Sequence, residues 1–172
     1  MKMLKIIVLF SLLFGCSSYE QFEQLVEESE IPSKTYKSNF NQTWQAVLEI
    51  MQQYDISVKN QEAGVVKTRW INNTSQINFS DAFGSKEMVK AAQFKLVINV
   101  IKGYRGKQEV SKVSIYRRQM IEKDFLQGWR LVRSDGILEK TILYRIDRIL
   151  KREAMIKKIE EQKAKEAEKE LF

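Results

Sequence analysis

From Gln93 to Lys102 the chain alternates with a period of two: Phe94, Leu96, Ile98 and Val100 are interleaved with Lys95, Val97, Asn99 and Ile101. Successive side chains on a strand point to opposite faces, so this pattern predicts a long strand with one apolar face and one mixed face. A strand of that kind must lie in a sheet, with its apolar side covered by another layer. Gly103-Tyr104-Arg105-Gly106 reads as a turn, and Glu109 to Ile121 as a second long strand with Val113 and Ile115 inward. Trp129 to Arg133 reads as one more short strand. Earlier in the chain, Ile56 and Val58 alternate with Ser57 and Lys59, Gln61-Glu62-Ala63-Gly64 signals a turn, and Val65 to Ile71 resumes extended sequence. In that second segment the alternation predicts Val66, Thr68 and Trp70 on one side and Lys67 and Arg69 on the other, giving a hairpin.

Two segments change period. Trp44, Val47, Leu48 and Met51 fall at i, i+3, i+4 and i+7, the stripe of an amphipathic helix, with Asn41 or Asn39 as its N-cap. After Gly136, Leu138, Ile142, Ile146, Ile149 and Leu150 recur at helical spacing, with Lys140, Arg145, Arg148 and Lys151 on the outside. That stripe thins after Met155, Ile156 and Ile159, and Glu160 to Glu170 is charged sequence rich in good helix formers. Residues 72–92 read as an irregular loop with a helical turn near Lys86 to Ala92. The expected fold is therefore α+β: an antiparallel sheet packed against a long C-terminal helix, with a short N-terminal helix.

The 172 residues amount to one domain with short extensions. With no His and a single Cys, the usual zinc clusters, Cys-His nucleophiles, Ser-His-Asp triads and an internal disulfide are all excluded. Neither a metal nor a cofactor is expected. At the N-terminus Lys2 and Lys5 precede an apolar run from Ile6 to Phe14, followed by Gly15 and Cys16, the pattern of a secretory signal peptide. Leu13-Phe14-Gly15-Cys16 resembles the bacterial lipobox, which implies cleavage before Cys16 and lipid attachment to it. An ordinary signal peptide with an incidental cysteine, or an anchor that is never cut, are the alternative readings. Lipidation implies a membrane-held protein of the bacterial envelope, and by resemblance to enterobacterial lipoproteins Ser17 favours the outer membrane, facing the periplasm.

Cleavage there would leave 27 basic and 22 acidic residues. Glu20, Glu23, Glu27, Glu28 and Glu30 make residues 16–32 acidic, so that stretch up to Pro32 reads as a spacer, and the rest of the chain is strongly basic. A basic periplasmic domain suits anionic partners such as lipid head groups, lipopolysaccharide or acidic protein surfaces, whereas nucleic acid is excluded by address. Arg117, Arg118, Lys123, Arg130 and Arg133 are the candidate partner- or anion-binding patch, although Arg117 and Arg118 must point to opposite faces of a regular strand. Asp55, Asp81, Asp124 and Asp135 are scattered through expected turns, where they serve backbone hydrogen bonds, and form no acid–base pair. Trp44, Trp70 and Trp129 read as core residues or, alternatively, as the lining of a sheet–helix cavity.

The lead-in Tyr36-Lys37-Ser38-Asn39-Phe40, the helix start Asn41-Gln42-Thr43-Trp44 and the segment Glu62-Ala63-Gly64-Val65-Val66-Lys67-Thr68-Arg69-Trp70 together resemble the BamC-like lipoproteins of the outer-membrane β-barrel assembly machinery. The resemblance spans about residues 36–150. It implies a helix-grip domain at 36–152, after a signal peptide at 1–15 and an acidic spacer at 16–35, with a charged helical tail at 153–172. It also implies a non-catalytic envelope lipoprotein that serves as accessory or scaffold in a membrane-associated assembly, with protein partners there. The alternative is a periplasmic lipoprotein that holds a lipid or other apolar ligand between sheet and helix.

Overall fold

The structure, a computed structural model, describes residues 31–81 and 89–170. The expected signal segment, Cys16 and the acidic stretch through Glu30 lie outside the described residues, as does the Lys86–Met88 part of the expected helical turn. In chain order the elements are β1 (Ser33–Tyr36), α1 (Phe40–Met51), β2 (Ile56–Asn60), β3 (Val65–Thr68), β4 (Ile71–Asn72), α2 (Thr74–Asp81), β5 (Ala91–Arg105), β6 (Gln108–Glu122), β7 (Trp129–Val132) and α3 (Ile137–Glu170).

β5 and β6 pair antiparallel without a register shift from Ala91↔Glu122 to Arg105↔Gln108, a ladder about 50 Å long at 3.4 Å per residue. The turn is tighter than the sequence suggests. Gly103 lies inside β5, paired with Val110, and Gly106, at φ +62°, opens the two-residue connection. All seven strands are antiparallel, in the order β1-β6-β5-β3-β2, with β4 on β5 and β7 on β6.

The alternation decides which face is covered. Phe94, Leu96, Ile98 and Val100 of β5 and Val113 and Ile115 of β6 are buried in one cluster with Trp44, Val47 and Met51 of α1 and Ile142, Ile146 and Ile149 of α3. The expected α+β architecture is thus present: one sheet face carries both helices, and the long C-terminal helix lies across it. Asn39 is the α1 N-cap. Its side chain accepts from the Gln42 N–H at 2.8 Å, and the Gln42 side chain accepts from the Asn39 N–H at 3.4 Å, a reciprocal cap that satisfies two otherwise orphaned donors. The α3 helix is 34 residues long, or about 50 Å. Its buried residues end at Ile149, and nearly all of the segment from Lys151 onward is exposed.

Several boundaries differ from the sequence reading. The sheet takes in Ser33–Thr35, assigned above to the spacer, because β1 pairs with Ser111–Ser114 of β6. Thr74–Asp81 is a helix rather than loop, with Asp81 at its end, whereas Ala91 and Ala92 begin β5 instead of closing a helical turn. Val58 faces solvent, because a bulge between Ile56 and Val58 breaks the alternation in β2; there the Ser57 hydroxyl reaches both Lys67 O and Thr68 O at 3.1 Å.

The expected run from Val65 to Ile71 is interrupted, and the interruption has a cause. β3 pairs β5 through Val97–Asn99, and β4 resumes at Phe94. Between them the buried Thr68 hydroxyl accepts the Leu96 N–H at 3.0 Å, and the Arg69 N–H donates to Asp55 O at 2.8 Å. A side chain thus replaces a missing ladder partner, so the break leaves that buried donor satisfied.

Gly64 tests how tightly the hairpin is fitted. It sits at φ +63°, its carbonyl accepts the Val100 N–H at 2.7 Å, and a Cβ there would lie 2.1 Å from Val100 O. Gly106 has a similar φ with open space around it. Gly64→Ala is therefore expected to cost about 3 kcal/mol, strain and overlap together, and Gly106→Ala only about 1 kcal/mol; urea unfolding midpoints of the two variants measure the contrast.

Candidate functional site

The five basic residues singled out by the sequence do not share one surface. Strand alternation sends Arg117 to the helix side, where its guanidinium lies 4.6 Å from the centroid of the Phe94 ring and 3.7 Å from Asp135. Its side chain is only 11% exposed. Arg130 pairs with Ile121, two positions from Gln119 and four from Arg117 on the same strand, and so shares that side near the sheet edge. Arg118 takes the opposite, helix-free face. Lys123 lies in the connection between β6 and β7, and Arg133 follows the last residue of β7; both are exposed.

On the helix-free face, Arg118 lies beside Trp70. Trp70 was expected beside Val66 and Thr68. The break at Thr68 instead turns it outward, 38% exposed, with Lys95 Nζ 5.0 Å and the Arg118 guanidinium 6.0 Å from its ring centroid. Lys95 and Arg118 are register partners across β5 and β6, and the next pair on this face is Val97 with Tyr116, which is also exposed. Trp129 and Leu131 of β7 extend the same row opposite Glu122 and Met120. Of the three tryptophans only Trp44 is a core residue; Trp70 and Trp129 are surface residues. Trp44 itself is fully buried in the core cluster between sheet and helices. The signal that was available is the mixed character of the Lys95-Val97-Asn99-Ile101 row. What hid Trp70 is that its direction depends on a hydrogen bond between residues 28 apart.

A second feature lies where β1 meets α3. A groove of about 430 Å³ is lined by Tyr36, Lys37, Gln42, Asp147, Leu150 and Lys157, among others. The buried Tyr36 hydroxyl donates to Leu143 O at 2.7 Å, and burial, reinforced by the negative charge of Asp147, pushes its pKa well above the usual phenol range. Asp147 holds Lys151 Nζ at 2.7 Å and Lys34 Nζ at 3.1 Å. These ammonium groups, Lys151 first, keep its carboxyl below the ordinary carboxylate range. The contacts pin the lead-in strand to the helix. Glu109 plays a similar part at the start of α1: it accepts the Phe40 N–H at 3.0 Å and meets Lys102 at 3.4 Å, and the Phe40 bond foremost lowers its pKa.

Asp55, Asp124 and Asp135 serve local structure, and the Asp81 side chain lies outside the described residues. Asp55 pairs with Arg69 at 3.3 Å, Asp124 accepts the Leu126 N–H at 3.3 Å, and Asp135 accepts the Ile137 N–H at 3.0 Å at the start of α3. Among the described residues no group of three or more Asp, Glu, His or Cys side chains is placed to hold a metal ion, and no helix is long and apolar enough to cross a membrane. No protein-family model matches the chain, and a search of curated proteins finds no significant match.

Because the folded-state pKa of Asp147 is depressed, its contribution to stability is present above the unfolded carboxylate value of about 3.9 and is lost as pH falls through the folded value. Removing either ammonium should raise the Asp147 midpoint in a carboxyl NMR titration, and Lys151→Met should raise it more than Lys34→Met. A midpoint unmoved by both substitutions would show that the two lysines do not hold this carboxylate in solution.

Proposed function

We propose that this chain is a non-catalytic, lipid-anchored protein of the bacterial envelope, an accessory or scaffold component of a membrane-associated assembly such as the outer-membrane protein assembly machinery. It docks on a protein partner through the helix-free face of its sheet. The observation that carries this reading is the composition of that face: Trp70, Tyr116 and Arg118 stand exposed at its centre. Trp, Tyr and Arg are the side chains that dominate binding energy at protein interfaces. Lys95 and Arg118 lie over an aromatic ring, which leaves a basic surface suited to an acidic partner. The lipobox-like Leu13-Phe14-Gly15-Cys16 supports the anchor, and confinement to a membrane raises local concentration, so a modest interface suffices. The resemblance to BamC-like lipoproteins supports the choice of assembly.

The test is cross-linking and pull-down from membranes of the native organism. Trp70→Ser combined with Arg118→Glu should abolish the reproducible partner while leaving the thermal midpoint within a few degrees, since both side chains are at the surface. Cys16→Ser should abolish incorporation of labelled fatty acid into the chain. If the parent chain yields no reproducible partner, the docking role fails.

A further inference from the structure

Residues 123–128, between β6 and β7, present an apolar tip. The Asp124 carbonyl accepts from Gln127 N at 3.2 Å and Gly128 N at 3.1 Å, and its carboxylate accepts from Leu126 N. The turn is closed on its own backbone, and that geometry holds Phe125 and Leu126 outward. They are 76% and 89% exposed, the two most exposed large apolar side chains among the described residues. Trp129, 42% exposed, stands at the base of the tip, with exposed Leu131 beyond it. Lys90, whose N–H donates to Glu122 O at 2.8 Å, places its ammonium 5.2 Å from the Phe125 ring centroid.

Charge around the tip is one-sided. Leaving aside Lys123 and Arg133, residues 89–95 and 118–133 contain four bases (Lys90, Lys95, Arg118 and Arg130) against two acids, Glu122 and Asp124, and the Asp124 carboxylate is turned toward the loop N–H. Protruding apolar side chains, a tryptophan at their base and surrounding cations are the arrangement that suits a lipid–water interface. The apolar pair enters the acyl boundary, the indole sits at head-group level, and the cations face lipid phosphates. A protein partner of matching chemistry would need a pocket to receive a convex tip, whereas a bilayer needs none.

We infer that the Phe125–Leu126 tip inserts shallowly into an anionic phospholipid surface, a membrane contact distinct from lipid attachment at Cys16 and from the protein-docking face proposed above. Phe125, Leu126, Trp129 and Lys90 carry it. It requires nothing from residues 1–30, and losing the protein partner would leave it intact.

The experiment uses the full chain with Trp70→Phe, which leaves the buried Trp44 and the tip's Trp129 as fluorophores. The chain is mixed with vesicles of phosphatidylcholine, alone or with phosphatidylglycerol, carrying bromine on the acyl chains. The expected result is quenching and a blue shift with the phosphatidylglycerol vesicles, weaker with phosphatidylcholine alone and weakened by added salt. The quenching should be absent in a Trp129→Phe chain. Phe125→Ser and Leu126→Ser, both at exposed positions that leave folding unaffected, should each weaken the quenching response by roughly tenfold or more in lipid concentration. Trp129 left unquenched while the chain sediments with the vesicles would overturn the inference, because membrane contact would then lie elsewhere. Unchanged quenching in the double Ser variant would overturn it equally. So would tip variants that quench like the parent but lose cross-links to an acidic protein, since the tip would then belong to that interface.

Discussion

The unbroken register between β5 and β6 is the constraint from which the rest of the molecule follows. Fifteen consecutive pairs fix the direction of every side chain on both strands, because a slip of one residue would exchange the two faces entirely. Phe94, Leu96, Ile98, Val100, Val113 and Ile115 then form one continuous apolar field, and that field is what α1 and α3 cover. Trp44 and Ile146 are fully buried against it, and such large buried side chains supply much of the non-directional stabilisation. The same register puts Lys95 beside Arg118 and Val97 beside Tyr116 on the other face. Core and candidate surface are two readings of one ladder.

How much of this is legible in the sequence depends on the distance over which each feature is decided. The α1 and α3 stripes, the two long strands and the inward residues Val113 and Ile115 are decided by local periodicity, and the structure places them as the pattern predicts. The Asn39 cap was one of two local candidates, and Gln42 at the third helical position, able to reach back to the cap N–H, settles it. Trp70, Val58 and helix α2 are decided elsewhere. The outward turn of Trp70 depends on Thr68 reaching Leu96, and the exposure of Val58 depends on a bulge beside Ser57. Thr74–Asp81 has no apolar periodicity; its start is held by long-range contacts, the Asn73 N–H and the Thr74 hydroxyl both to Ala92 O.

The basic patch shows the same division. Alternation correctly warns that Arg117 and Arg118 part, but their surroundings are tertiary. Arg117 stacks on Phe94 within the helix-side layer, whereas Arg118 joins Lys95 around an exposed tryptophan. Proximity in sequence had grouped residues by charge; the sheet regroups them by face, and adds Trp70, Lys95 and Tyr116, which no basic motif would have selected.

Where the charges are spent separates scaffold from surface. On the helix side and at the strand ends, acids and bases meet each other: Asp147 holds two lysines, Glu109 joins Lys102 to the start of α1, and Glu49 holds Arg152 at 3.1 Å. Apart from Asp147–Lys151, which lies within α3, these pairs tie separate elements together. On the helix-free face Lys95 and Arg118 instead lie over the ring of Trp70, and at the hairpin tip Lys90 lies over Phe125. A ring quadrupole orients a cation without neutralising it, so the positive potential of that surface persists outward. The helix side also stacks cations on rings, Arg117 on Phe94 and Lys34 on Tyr36, but there each cation meets an acid as well, Asp135 or Asp147. The protein-docking face proposed above is the one on which Lys95 and Arg118 share the Trp70 ring, the side the helices leave open.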